Sequence, residues 1–80
     1  MRLIDEIITQ TAYLDFDNQN PIEFVALSME AYNQIIKEVS EEIDKQYIDD
    51  DDLEKCLTMK YVLMPSLISI DYRFLKEIKL

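Results

Sequence analysis

The sequence predicts a single α+β domain spanning residues 1–80: a small three-stranded sheet with an N-terminal helix, one long helix and a short helical turn. Three observations carry this. Residues 2–14 and 28–46 repeat apolar side chains at helical spacing. Residues 22–27, 58–64 and 67–75 run or alternate as strands do. No linker, internal repeat or compositional break divides the chain. A domain of this size buries only about 60–65% of its unfolded surface, so its stability is modest and a partner or self-association carries weight.

Over residues 2–14, Leu3, Ile4, Ile7, Ile8, Thr11 and Leu14 form one helical stripe, with Arg2, Asp5, Glu6, Thr9 and Gln10 opposite. Asp15 to Asn20 is polar and reads as a turn anchored by Phe16, and Pro21 biases Asn20 away from helix. Ile22 to Leu27 is apolar on both sides, which fits a strand covered on both faces or one in the middle of a small sheet. Ser28 is placed to cap the next helix, and Glu30 suits its positive end. Tyr32, Ile35, Ile36, Val39 and Ile43 form the stripe of that helix, which is expected to reach about Gln46.

After Tyr47 and Ile48 come four aspartates, then a helical turn over 53–57 for which an aspartate is a good cap. Residues 58–64 place Met59, Tyr61 and Leu63 on one face and Val62 and Met64 on the other. Pro65-Ser66 reads as a turn. Residues 67–75 put Ile68, Ile70, Tyr72 and Phe74 opposite Ser69, Asp71 and Arg73, the pattern of a sheet with one wet face. These last two strands are expected to pair as an antiparallel hairpin, with residues 76–80 as a tail. The connection from the first strand through the long helix is expected to be a right-handed crossover if the strands it joins are parallel.

Composition removes whole classes of chemistry. There is no histidine, hence no imidazole base, no Ser-His or Cys-His pair and no His-based zinc site. There is no glycine, hence no Gly-rich phosphate loop and no dinucleotide fingerprint. Turns are expected to avoid the backbone shapes that glycine adopts most cheaply. The single Cys56 cannot form an internal disulfide, which fits a reducing compartment. Lys55 beside it would lower its pKa, but Leu53, Leu57 and Met59 around it mark a small core residue. No apolar run is long enough to cross a bilayer, and acids interrupt the first residues too early for a signal peptide. A cytoplasmic location in a host cell, or a place in a virion, is the corresponding expectation.

Charge is the strongest feature. The net charge is −9, which disfavours direct binding to nucleic acid or to anionic membranes. Glu38, Glu41, Glu42, Asp44, Asp49, Asp50, Asp51, Asp52 and Glu54 are opposed within their own segment only by Lys45. Beyond it the chain turns basic, with Lys55, Lys60, Arg73, Lys76 and Lys79 against Asp71 and Glu77. The segment is either a solvated face or a docking patch for a basic partner. In the second case Glu38, Glu41, Glu42, Asp44, Asp49, Asp50, Asp51 and Asp52 are the contacts, joined by Tyr47 as an interface aromatic. The aspartate run lacks the alternating acids, glycine and closing glutamate of an EF-hand loop, so no metal or other cofactor is assigned. No pair of carboxylates is set in surroundings that would split their pKa values, so no enzyme role is assigned either.

Residues 20–32 (NPIEFVALSMEAY), with Lys60-Tyr61-Val62-Leu63-Met64-Pro65 and Tyr72-Arg73-Phe74, resemble a pattern in small phage and prophage proteins. There a proline precedes a strand, a serine caps the following helix and an aromatic sits one turn in. The pattern is similar to a strand-helix-strand unit in one domain of tailed-phage major capsid proteins. It covers roughly residues 20–75 and departs from that unit before the second strand, where Thr58-Met59-Lys60 replaces the usual glycine. The resemblance implies a phage or mobile-element origin and carries over no functional residue.

Two functional expectations follow. One is a non-catalytic acidic inhibitor occupying the basic nucleic-acid-binding surface of a host defence protein, as anti-CRISPR and anti-restriction proteins do as a class. The other is a virion accessory protein or small homo-oligomeric structural subunit, its contact on the first helix or an open strand edge.

Overall fold

The computed structural model describes residues 2–17 and 21–77. In chain order the elements are α1 (Leu3–Asp17), β1 (Phe24–Leu27), α2 (Met29–Ile43), α3 (Asp50–Leu57), β2 (Lys60–Leu63) and β3 (Tyr72–Leu75). The α+β class and all six expected elements are present.

The sheet has the order β2-β1-β3. β1 pairs β2 in parallel, from Phe24↔Lys60 to Leu27↔Leu63, and β3 antiparallel, from Phe24↔Leu75 to Leu27↔Tyr72. The expected hairpin of the last two strands therefore does not form: β1 lies between them. Residues 64–71 instead carry the chain across the end of β1. Met64 N–H bonds Leu27 C=O at 3.0 Å and Ser28 N–H bonds Asp71 C=O at 3.0 Å. This crossing is why β3 begins at Tyr72 and not at residue 67. Ser69 takes a left-handed backbone, φ 47°, which interrupts the extended run. The alternation over residues 67–75 is real as sequence, but only its second half is strand.

Ser28 joins two layers at this point. As expected it caps α2, its Oγ accepting Ala31 N–H at 3.1 Å. The same oxygen accepts Asp71 N–H and donates to Ser69 C=O, each at 3.2 Å. One buried hydroxyl thus ends β1, starts α2 and holds the crossing loop.

Val25 and Leu27 face the helices, and the register sets Tyr61, Phe74 and Tyr72 beside them. Their core partners are Leu3, Ile4 and Ile7 of α1, Ala31, Ile35 and Val39 of α2, and Leu53 and Leu57 of α3. Only one sheet face contributes to this cluster, so helices and sheet form two layers. Of the two readings of the apolar first strand, the central position is the one found. The stripe expected for the first helix supplies the buried Leu3, Ile4, Ile7 and Thr11, and that of the long helix the buried Ile35 and Val39.

The boundaries moved for local reasons. α1 continues through Asp17, absorbing the start of the expected turn, and Phe16, expected as its anchor, is almost fully exposed. The rest of that turn, residues 18–20, and the tail at 78–80 lie outside the described residues. α2 stops at Ile43 because Asp44 turns left-handed, φ 52°, its N–H bonded to Ser40 C=O. α3 is longer than the expected turn because it starts inside the acidic run. The glycine-free turns do not avoid positive φ after all: Asp44, Thr58 and Ser69 adopt it.

Candidate functional site

The acidic segment runs from the last turns of α2, through an irregular connection at residues 44–49, into α3. The structure divides its expected contact residues into two groups.

The first group is committed to the fold. Glu38 is only 5% exposed. Its carboxylate accepts the backbone N–H of Ile4 at 2.8 Å and of Leu3 at 3.0 Å, and the Gln34 amide at 2.8 Å. Burial pulls its pKa upward, but these donors and the charge of Arg2 outweigh it and hold the carboxyl below its ordinary 4.5. Glu38 is thus a cap for α1 supplied by α2, and not a surface for a partner. Glu42 pairs with Arg2 at 3.3 Å, and Arg2 also bonds Asp5 at 3.0 Å.

Asp49 caps α3, its side chain accepting Asp52 N–H at 2.8 Å, while Asp52 reaches back to Asp49 N–H. Asp52 also meets Lys45 at 3.3 Å. Burial acts to raise the Asp52 pKa, yet the bonds from Lys45 and Asp49 bring it below its ordinary value. Asp50 accepts the Tyr61 hydroxyl at 2.5 Å, bracing α3 against β2. Much of the aspartate run is therefore helix-terminus chemistry, in which acids satisfy unpaired N–H groups and the positive end of the dipole.

The second group points outward. The side chains of Glu41, Asp44 and Asp51 are exposed and make no hydrogen bond or ion pair among the described residues. Tyr47 is 81% exposed, in the connection between the caps formed by Asp44 and Asp49. The surface that remains is smaller than the sequence suggested: three uncompensated carboxylates and one aromatic, with Asp50 and Glu42 at its margin.

A groove of about 570 Å³ lies where α1 begins against α2, lined by Arg2, Asp5, Gln34, Lys37, Glu38 and Glu41. Arg2, Asp5, Gln34 and Glu38 in it are engaged in the bonds of Arg2 and Glu38, and its charges are mixed. Among the described residues no cluster of Cys, Asp or Glu is arranged to hold a metal ion. Cys56 is partly buried. Burial, with Glu42 and Asp52 nearby, raises its pKa, so the thiol is protonated at neutral pH and is not an activated nucleophile. No helix among the described residues is long and apolar enough to cross a membrane.

Two features escaped the sequence reading. The tertiary cap by Glu38 had a signal, since it falls three residues after Ile35 on the buried stripe and nothing at Arg2 can cap α1. The exposed apolar loop at Ile68 and Ile70 was hidden inside an apparent strand. No family model, curated protein or solved structure matches this chain.

Proposed function

We propose that this chain is a non-catalytic acidic binding protein whose connection between α2 and α3 docks on a basic protein surface. The partner class that fits best is a nucleic-acid-handling protein of a host, met by a product of a mobile element, because its phosphate-binding groove offers the required positive charge. The observation that carries the reading is Tyr47, 81% exposed in a segment whose Glu41, Asp44 and Asp51 carboxylates have no ion-pair partner among the described residues. An aromatic supplies contact area, and the acids supply steering and register.

The contacts are Tyr47, Glu41, Asp44 and Asp51, with Asp50 and Glu42 at the rim. Glu38, Asp49 and Asp52 act indirectly, by fixing the helices that present them. The test is affinity capture from the producing cells, followed by titration of the captured partner against salt. Binding should weaken as salt rises, and the triple variant Glu41→Gln, Asp44→Asn, Asp51→Asn should bind at least roughly tenfold more weakly and with a flatter salt dependence. Tyr47→Ala should lower affinity without changing that dependence. Salt-independent binding, or binding unchanged in both variants, would sink the reading.

A further inference from the structure

Two tyrosine rings meet where α2 packs near the β2 edge of the sheet. Tyr32 stands near the start of α2, and Tyr61 lies in β2 as the register partner of Val25. Both are half-buried and pack against the core. Their ring centroids are 5.8 Å apart, with the planes tilted by 31°. The Tyr32 hydroxyl contributes to the raised pKa of Tyr61, so the hydroxyl-bearing ends of the two rings are the ends that approach. Those ends carry the ortho carbons, where a phenoxyl radical holds much of its spin. The Tyr61 hydroxyl also donates to the Asp50 carboxylate at 2.5 Å.

We infer that Tyr32 and Tyr61 form an oxidative cross-linking site, at which a one-electron oxidant joins the two rings and staples α2 to β2. Asp50 makes Tyr61 the first ring to react. A phenol that loses an electron becomes a very strong acid, so its proton has to leave in the same step. The Asp50 carboxylate is already bonded to that proton, and it is exposed, so it can pass the proton to solvent. Tyr32 is oxidised in turn, and its proton goes to solvent. The two radicals couple through one Cε carbon of each ring. The hydrogens on those carbons then move to the phenol oxygens by way of solvent, which restores both aromatic rings. The balance is a loss of two electrons and two protons, with two equivalents of the oxidant reduced.

Position selects this pair. The ring beside Tyr72 is that of Phe74, at 5.4 Å, and it has no phenol to oxidise. Tyr13 and Tyr47 are exposed and make no ring contact among the described residues, so they are open to coupling between copies. Within one copy, proximity gives Tyr32 and Tyr61 the advantage. Their bond would tie the helical layer to the sheet and constrain the unfolded chain, as any cross-link does. The site does not depend on a partner at the acidic connection.

The test is photo-oxidation of the whole chain in dilute solution with tris(bipyridyl)ruthenium and persulfate, each persulfate taking two electrons to give two sulfate ions. The product should migrate as the 9.5 kDa monomer, fluoresce as dityrosine and weigh two hydrogen atoms less than the parent. Tandem mass spectrometry of its digest should place the link between Tyr32 and Tyr61. Tyr13→Phe with Tyr47→Phe should keep the monomer signal, whereas Tyr32→Phe and Tyr61→Phe should each lower it by about tenfold or more. If Tyr61→Phe does not fold, Tyr32→Phe is read in the same way. Asp50→Asn should slow the reaction several-fold, and denaturant should abolish its selectivity. Cross-linked dimers alone, a monomer link between other tyrosines, the same link at the same yield in denaturant, or an undiminished rate in Asp50→Asn would each overturn the inference.

Discussion

The carboxylate of Glu38 accepts the backbone N–H of Ile4 at 2.8 Å, so the helix that begins the chain is capped by a side chain from a helix 34 positions later. Among the described residues no local side chain caps α1; Arg2 precedes it and donates to Asp5. A helix start leaves N–H groups without intrahelical partners, and burying them unsatisfied is costly. Glu38 meets two of them and thereby ties α1 to α2 by a polar contact within a largely apolar interface.

Glu38→Ala should destabilise the domain by about 2–3 kcal/mol, because it strands two buried donors. Equilibrium denaturation measures the loss, and hydrogen exchange at Leu3 and Ile4 localises it. The pH dependence has a definite sign. The native pKa of Glu38 lies below its ordinary 4.5, so the stabilisation is complete above that value and is lost as pH falls through the native pKa. Glu38→Gln should flatten the acid limb of the stability profile. A variant as acid-labile as the parent would show that other carboxylates set that limb.

Thr58 ends α3 in the left-handed region, at φ 61°. Its N–H bonds Lys55 C=O at 3.3 Å, and Met59 N–H bonds Glu54 C=O at 3.2 Å, which closes the helix end. A β-branched residue is poorly suited to this backbone, and glycine is the usual occupant. The substitution Thr58→Gly should therefore raise stability by about 0.5–1 kcal/mol, the relief of strain being partly offset by the greater freedom of glycine in the unfolded chain. A thermal midpoint several degrees higher is the expected result, and Thr58→Ala should show no such gain.

These two positions show which parts of the architecture could be read from sequence. α2 was legible because Ser28 and the stripe through Ile35 and Val39 are local signals within one helix. The partner of β3 was not. Adjacency in sequence favoured β2, whereas Ser28 and Leu27 bind the crossing loop in space and put β1 between the two strands. The site was legible as a charge segment, but not as individual contacts. A carboxylate at Asp49 or Asp52 looks the same in sequence whether it caps a helix or faces solvent, and only the start of α3 at Asp50 decides it. Tyr47 is 81% exposed, whereas Ile48 next to it in the same connection packs against the core, a difference the sequence does not mark.

The hydroxyl of Tyr61 donates to Asp50 at 2.5 Å, across the joint between β2 and the first turn of α3, and its ring lies 5.8 Å from that of Tyr32. Burial, together with the bond and the charge of Asp50, raises the Tyr61 pKa far above its ordinary 10.0. The protonated phenol is therefore the form that the native state favours. Its contribution to stability is complete below pH 10 and is lost as pH rises from there toward the native pKa. In a spectrophotometric titration, Tyr61 should give a delayed component that ionises only as the protein unfolds in alkali. Asp50→Asn removes the negative charge but keeps a carbonyl acceptor, so it should lower the Tyr61 pKa and preserve the fold at neutral pH. Tyr61→Phe should remove the delayed component of the titration and weaken the dependence of stability on pH above 10. A delayed component that persists in Tyr61→Phe would assign it to Tyr72, whose pKa burial also raises.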